Sequence, residues 1–287
     1  MLALDKKLRL AIQGIASLIQ NANFKGFFTG QIYQGAAKSV CVPGLNCYSC
    51  PGAIGACPIG SLQNSLSGVT FRVPYYVLGL LIFFGALLGR AICGFLCPFG
   101  LLQDLLNRIP FPKKIRTFKG DRTLRKLKYA VLLVLVIGIP SFVKLTPAFC
   151  KYVCPSGTLS GFLLALADSR LFTVLGGIFT WKVSLLILAV LASIMIFRPF
   201  CKYICPLGAI YAPFNRISVL HMNCDSNACI NCGACSEICG MGVDPSKGPN
   251  DTECIRCGEC MKACPAKALS YEFGLDFNKV KQETLKQ

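Results

Sequence analysis

Charge is scarce in this 287-residue chain: Asp, Glu, Lys and Arg make up 15% of it, against 54% hydrophobic residues. Ordinary soluble domains carry roughly 25% charged residues, so the deficit points away from a cytosolic globular protein and toward one set in a membrane. Acidic residues are scarcest, 13 against 30 basic ones. Histidine occurs once, at His221, and Cys-x-x-Cys-His not at all, which excludes c-type and two-histidine haem. There is no dinucleotide-binding glycine fingerprint, no P-loop and no Ser/His/Asp arrangement, so nucleotide-driven chemistry falls to a partner. The net charge of +17 is no sign of nucleic-acid binding, because the basic residues gather at the ends of apolar segments, as topology signals do.

Cysteine is abundant, with 19 residues. A disulfide scaffold of that density would be short and secreted, and this chain is neither short nor apolar-poor. Cys-Pro-x-Gly occurs at Cys57, Cys97, Cys154 and Cys205. Three copies have a second cysteine four residues upstream, giving the pairs Cys93/Cys97, Cys150/Cys154 and Cys201/Cys205. Thiolates at this density and spacing suit iron–sulfur clusters. A four-thiolate 4Fe-4S core carries about −2, so four of them would bring +17 to about +9.

The apolar segments predict an α-helical membrane protein. Val73–Gly89 is uncharged and ends at Arg90, Tyr129–Val143 is rich in Leu, Val and Ile, and Val183–Phe197 lies between Lys182 and Arg198. Each falls short of the ~20 residues of a full span, a gap that snorkelling Lys and Arg and inward-dipping cysteine loops can close. Residues 157–181 are apolar but broken at Asp168, Ser169, Arg170 and Gly176-Gly177, which reads as a re-entrant or surface-lying helical pair, with two further spans as the alternative. No Ala-x-Ala site follows the basic start, so residues 10–24 are read as retained. Gln13, Gln20, Asn21 and Asn23 interrupt them, leaving a weak membrane segment or an interfacial helix. The basic stretch 108–128 is expected in the cytoplasm. That makes a multi-pass protein of the prokaryotic cell membrane with a cytoplasmic C-terminus.

Arg90-Ala-Ile-Cys93-Gly-Phe-Leu-Cys97-Pro-Phe-Gly100 and Arg198-Pro-Phe-Cys201-Lys-Tyr-Ile-Cys205-Pro-Leu-Gly208 share Arg-x-x-Cys-x-x-x-Cys-Pro-x-Gly, and both follow an apolar span. Cys57 and Cys154 each precede one. The expectation is two parallel repeats, 41–108 and 146–216, joined by the basic loop. The expected domains are a membrane or interfacial helix in 1–40, a membrane domain in 41–216 and a cytoplasmic ferredoxin domain in 217–287. Topology places Cys93, Cys97, Cys201 and Cys205 on the cytoplasmic face, enough for one 4Fe-4S cluster. Cys41, Cys47, Cys50, Cys57, Cys150 and Cys154 fall on the outer face, where one cluster plus one disulfide fits the count and disulfides alone are the alternative. Arg90 and Arg198, one turn before their cysteines, either offset cluster charge or snorkel at the membrane edge.

Cys229, Cys232, Cys235, Cys239 and then Cys254, Cys257, Cys260, Cys264 follow the two-cluster bacterial ferredoxin pattern, an α+β domain in which the fourth cysteine of each run serves the other cluster. One set is then Cys229, Cys232, Cys235 and Cys264; the other is Cys254, Cys257, Cys260 and Cys239. Gly240 stands where proline would follow Cys239, and Cys224 fits no motif.

These residues resemble the membrane polyferredoxins with Cys-x-x-x-Cys-Pro motifs. That family includes the quinol-oxidising ferredoxin-type subunit of periplasmic nitrate reduction and the iron–sulfur proteins serving nitrous-oxide reductase. The resemblance spans about residues 40–270. It implies electron transfer between a quinol or cytoplasmic donor, a ferredoxin or reductase, and an extracytoplasmic redox partner such as a flavin-binding protein. Three functions are in play: a transmembrane electron conduit, a quinol dehydrogenase subunit, and a membrane-bound redox assembly factor or sensor.

Overall fold

The computed structural model describes residues 6–68, 73–112, 114–143, 146–167 and 176–274. It is mostly helical, with one two-stranded sheet near the C-terminus. The four Cys-Pro-x-Gly turns set the pattern. Each cysteine is the residue before a helix, and each proline opens it, in Pro58–Ser67, Pro98–Asn107, Pro155–Ala167 and Pro206–Tyr211. Proline suits a first helical position because its fixed φ matches the helix and its missing N–H would have no partner there. The upstream cysteine of each pair sits in a five-residue helix: Ala91–Phe95, Ala148–Tyr152 or Pro199–Tyr203.

Three apolar helical segments run between the two ends of the helical region. Tyr75–Leu88 starts beside Cys41, whose amide meets the Tyr76 hydroxyl at 3.4 Å, and ends at Arg90. Leu127–Phe142 contains a wide turn over Leu132–Gly138. Pro140 explains it, since a proline inside a helix removes one N–H and displaces the carbonyl a turn earlier. Gly177–Met195 is, among the described residues, the one helix long and apolar enough to cross a membrane, and only 6% of its apolar window is buried. Its start at Gly177 differs from the expected boundary at Val183. Lys182 does not flank the helix but lies within it, where its Nζ donates to the carbonyl of Cys150 at 3.3 Å. The helix therefore absorbs part of the expected 157–181 pair; Pro155–Ala167 is the other arm, and the Asp168–Arg170 break lies outside the described residues.

Helix Lys6–Gln20 is inside out. Arg9, Gln13 and Gln20 are buried, while Ile15, Leu18 and Ile19 are exposed. Its polar stripe serves the cysteine loops: Gln13 donates to the carbonyl of Cys97 at 3.0 Å and Gln20 to that of Leu96 at 2.8 Å.

In the C-terminal unit β1 (Leu220–Cys224) pairs antiparallel with β2 (Leu269–Phe273), Met222 opposite Tyr271. Helices Ala234–Ile238 and Glu259–Ala263 complete it. Both cysteine runs turn alike, with left-handed backbone at Asn231 and Gly233 in the first and at Arg256 and Gly258 in the second. Glycine and asparagine tolerate that conformation; arginine does so at a cost. Arg256 is held by its own guanidinium, which donates to the carbonyls of Leu88 and Asn215 at 2.9 and 2.8 Å. Gly240 has its reason too: a Cβ there would come 2.7 Å from the Phe197 ring.

Candidate iron–sulfur sites

Sixteen of the cysteines fall into four groups of four. The proximal group, beside the C-terminal unit, is Cys93, Cys97, Cys201 and Cys205: Cys205 lies within electrostatic range of the other three, and Cys201 of Cys93 and Cys97. The distal group lines a cavity of about 700 Å³ and is Cys47, Cys57, Cys150 and Cys154. Cys41 and Cys50 do not line it. Cys41 contacts the Ser61 hydroxyl at 3.4 Å, Cys50 contacts Ser160, and neither forms a disulfide. In the C-terminal unit Cys229, Cys232, Cys235 and Cys264 share one cavity, while Cys239, Cys254, Cys257 and Cys260 line another of about 370 Å³. Cys264 thus lies with the first run's cysteines and Cys239 with the second's. Cys224, which no motif covers, joins the first of these cavities and hydrogen-bonds Cys229.

The Cys-Pro-x-Gly turn aims backbone at sulfur. At Cys154 the Gly157 N–H reaches back to the thiol three residues earlier, at 3.5 Å. This is helix N-capping with sulfur in place of the usual oxygen.

Burial pushes the Cys57 and Cys154 thiols up to about 12. A thiolate there needs a compensating positive centre, which a metal supplies. Among the described residues no three Cys, His, Asp or Glu side chains converge as ligands of a single ion. Four spread thiols around a cavity fit a multinuclear cluster, whereas tetrahedral zinc draws its ligands to one point.

The arginines ahead of the pairs do not snorkel. Arg90 and Arg198 are both fully buried. Arg198 donates to the carbonyl of Cys93, and Arg90 to that of Cys201 at 3.4 Å. Each arginine thus braces the cysteine pair of the other half. Each also has a buried carboxylate. Arg198 grips Asp104 through two hydrogen bonds of 2.6 Å, and Arg9 adds a third of 2.8 Å. Arg90 meets Glu253 at 2.8 Å, where Lys128 also binds. Burial raises the Asp104 carboxyl, but Arg198 and Arg9 outweigh it and hold the group below its ordinary range. Spacing pointed to the two arginines; nothing in it singled out Asp104 or Glu253.

The proximal group touches its neighbours on two sides through their loops. Glu253 immediately precedes Cys254, so the Arg90 bridge ties the proximal group to the second ferredoxin loop. Asn215 donates to the carbonyls of Asp251 and Cys254 at 2.8 and 2.7 Å. Gly94 packs on the backbone of Ile255. On the other side the Leu45 amide hydrogen-bonds the Cys97 thiol, and Leu45 also lines the distal cavity. Buried Tyr211 lies within electrostatic range of Cys93 and Cys97 on one side and Cys57 on the other.

The 4Fe-4S binding domain family matches this chain at residues 73–119, 129–171 and 178–223, and a second family of the same description matches at 249–270. Each of the first three matches takes in one apolar segment and one Cys-x-x-x-Cys-Pro turn. An uncharacterized protein of Methanocaldococcus jannaschii is 30% identical over 65% of this chain and 74% of its own length. This chain belongs to the 4Fe-4S binding, ferredoxin-type electron-transport family. Within that family it is 26% identical to the putative electron transport protein YccM of Escherichia coli, over 70% of this chain and 56% of YccM. It is 29% identical to the methylamine utilization ferredoxin-type protein MauN of Paracoccus denitrificans, over 62% of this chain and 58% of MauN. Across these relatives the chain spans about half to three quarters of their length. No solved structure matches. The chain carries multiple 4Fe-4S binding domain matches.

Proposed function

We propose that the chain is a membrane-integral conduit passing single electrons between a cytoplasmic low-potential donor and an extracytoplasmic acceptor. The 4Fe-4S clusters supply the one-electron chemistry when bound; the chain holds them in order. Cys229, Cys232, Cys235 and Cys264 hold the first, and Cys239, Cys254, Cys257 and Cys260 the second. Cys93, Cys97, Cys201 and Cys205 hold the third, and Cys47, Cys57, Cys150 and Cys154 the fourth. The observation that carries this reading is the touching of loops on two sides of the proximal group, Ile255 on Gly94 and Leu45 on Cys97. Three apolar segments separate the distal group from the C-terminal unit, and the outward-facing leucines and isoleucines of Lys6–Gln20 and Gly177–Met195 suit lipid rather than water. The basic stretch 108–128 orients the ferredoxin unit to the cytoplasm.

Quinol oxidation is the second reading. Its support is the cavity at Cys239, Cys254 and Cys257, which Leu10, Ile115, Met195 and Phe197 also line at the end of the longest apolar helix.

The test uses the full chain in vesicles with a reduced donor on the ferredoxin side and an impermeant acceptor opposite. The wild type passes electrons and holds about sixteen irons. Replacing Cys57 and Cys154 with serine stops the transfer and leaves the ferredoxin clusters. Unchanged transfer in that variant refutes the conduit, and transfer that requires added quinol selects the second reading.

A further inference from the structure

The residue six places after each Cys-Pro cysteine is polar and almost wholly buried: Gln63, Gln103, Ser160 and Tyr211. Helix interiors shed polar groups unless something answers them. At two of the four positions the answer is a sulfur of a four-thiol group from the other half of the chain, while Ser160 faces Cys50, which lies outside those groups. Gln103 Nε2 lies 3.0 Å from the Cys201 thiol. Its Oε1 accepts the Phe200 N–H at 3.2 Å, which fixes the amide so that its NH₂ must face the sulfur. Gln63 Nε2 lies 3.7 Å from the Cys150 thiol, and its buried Oε1 has no partner. Turning that amide over would point oxygen at a thiolate, so the NH₂ stays on the sulfur. In both cases the acceptor is the first cysteine of its pair. The proximal and distal groups each receive one side-chain amide. In the ferredoxin unit the comparable bonds come from backbone, Val243 N to Cys239, Arg256 N to Cys254 and Ala268 N to Cys264, each 3.4 Å.

An N–H aimed at a ligating sulfur stabilises the reduced, more negative state of a cluster and raises its reduction potential. The effect is stronger where water is excluded. A glutamine does this without adding charge, unlike the neighbouring arginines.

We propose that Gln103 and Gln63 are positioning residues that raise the potentials of the proximal and distal clusters, one centre each. The inference rests on the four-cluster reading above. The shorter bond makes the Gln103 effect the larger.

The experiment takes the full chain in detergent as wild type, Gln103→Met and Gln63→Met. Midpoint potentials come from redox titration followed by electron paramagnetic resonance, with iron per chain measured alongside. Each variant is expected to keep its iron and to move one centre to a more negative potential, a different centre in each, with the larger shift for Gln103→Met. Full iron with unmoved potentials overturns the role of the glutamines and leaves the conduit standing. A wild type with about eight irons overturns the four-cluster reading itself. Because Gln103 also holds the Phe200 amide, its loss can cost the site its iron; Gln63→Met, whose oxygen has no partner to lose, then decides alone.

Discussion

Gly94 and Ile255 meet backbone to backbone: a Cβ built on Gly94 would lie 2.6 Å from the Ile255 carbonyl oxygen. Gly94 follows Cys93 and Ile255 follows Cys254, so two cysteine loops from units 161 residues apart in sequence share one surface. No other residue type leaves that space empty.

Gly94→Val should therefore separate the two loops. Overpacking of this kind costs about 1–3 kcal/mol. Stopped-flow reduction should show the ferredoxin clusters filling at the normal rate and the proximal cluster lagging behind. Equal rates at the proximal cluster in variant and wild type would remove this contact from the route.

Asp104→Asn should leave Arg198 buried without its counter-charge and Arg9 with only Glu259, 3.8 Å away, at about 3–5 kcal/mol. The pH dependence follows from the depressed carboxyl. Asp104 contributes its stability in full above its ordinary value of 3.8 and loses it as the pH falls through its lower folded value. Thermal unfolding in detergent should show a constant gap between wild type and variant at neutral pH that closes only in strong acid. A gap that closes near pH 6 would mean another group carries the effect.

Among the outer thiols, Cys47→Ser should remove one spectroscopic centre and about four irons, while Cys41→Ser and Cys50→Ser should keep both. Iron counting on the three variants decides it. Loss of the distal centre from Cys50→Ser with retention in Cys47→Ser would exchange their roles.

Stripping iron with a chelator should loosen the helical region more than a surface metal would. The proximal and distal groups join distant stretches of chain, so metal binding there is also folding energy. Limited proteolysis should cut between residues 108 and 126 faster in the stripped protein; an unchanged pattern would show that the buried ion pairs suffice.

Local chemistry was the part legible in the sequence. Cys-Pro-x-Gly already contains its helix start, and the two ferredoxin runs already contain their interleaving, because each depends on residues a few places apart. The grouping of Cys93/Cys97 with Cys201/Cys205 followed from the repeated Arg-x-x-Cys frame. The choice of Cys47 over Cys41 and Cys50 did not follow, since it depends on how an irregular loop wraps over Leu45. The burial of Arg90 and Arg198 was also hidden, because a charge ending an apolar run looks the same whether it snorkels or finds Glu253 or Asp104. Helix Lys6–Gln20 misled in the same way: its glutamines read as interruptions of an apolar face, when they form the working face.

The crossed braces, Arg90 to Cys201 and Arg198 to Cys93, impose a schedule on biogenesis. A ribosome completes Cys93 108 residues before Cys201, an interval of roughly 5–20 s at ordinary elongation rates. During it the first two proximal thiols, and the arginine meant for the far half, wait without partners. Arg90 waits longer, until Glu253 has emerged. The proximal site can thus be closed only on a nearly finished polypeptide, and a chain truncated before residue 253 would leave a buried cation unanswered, a ready mark for proteolytic disposal.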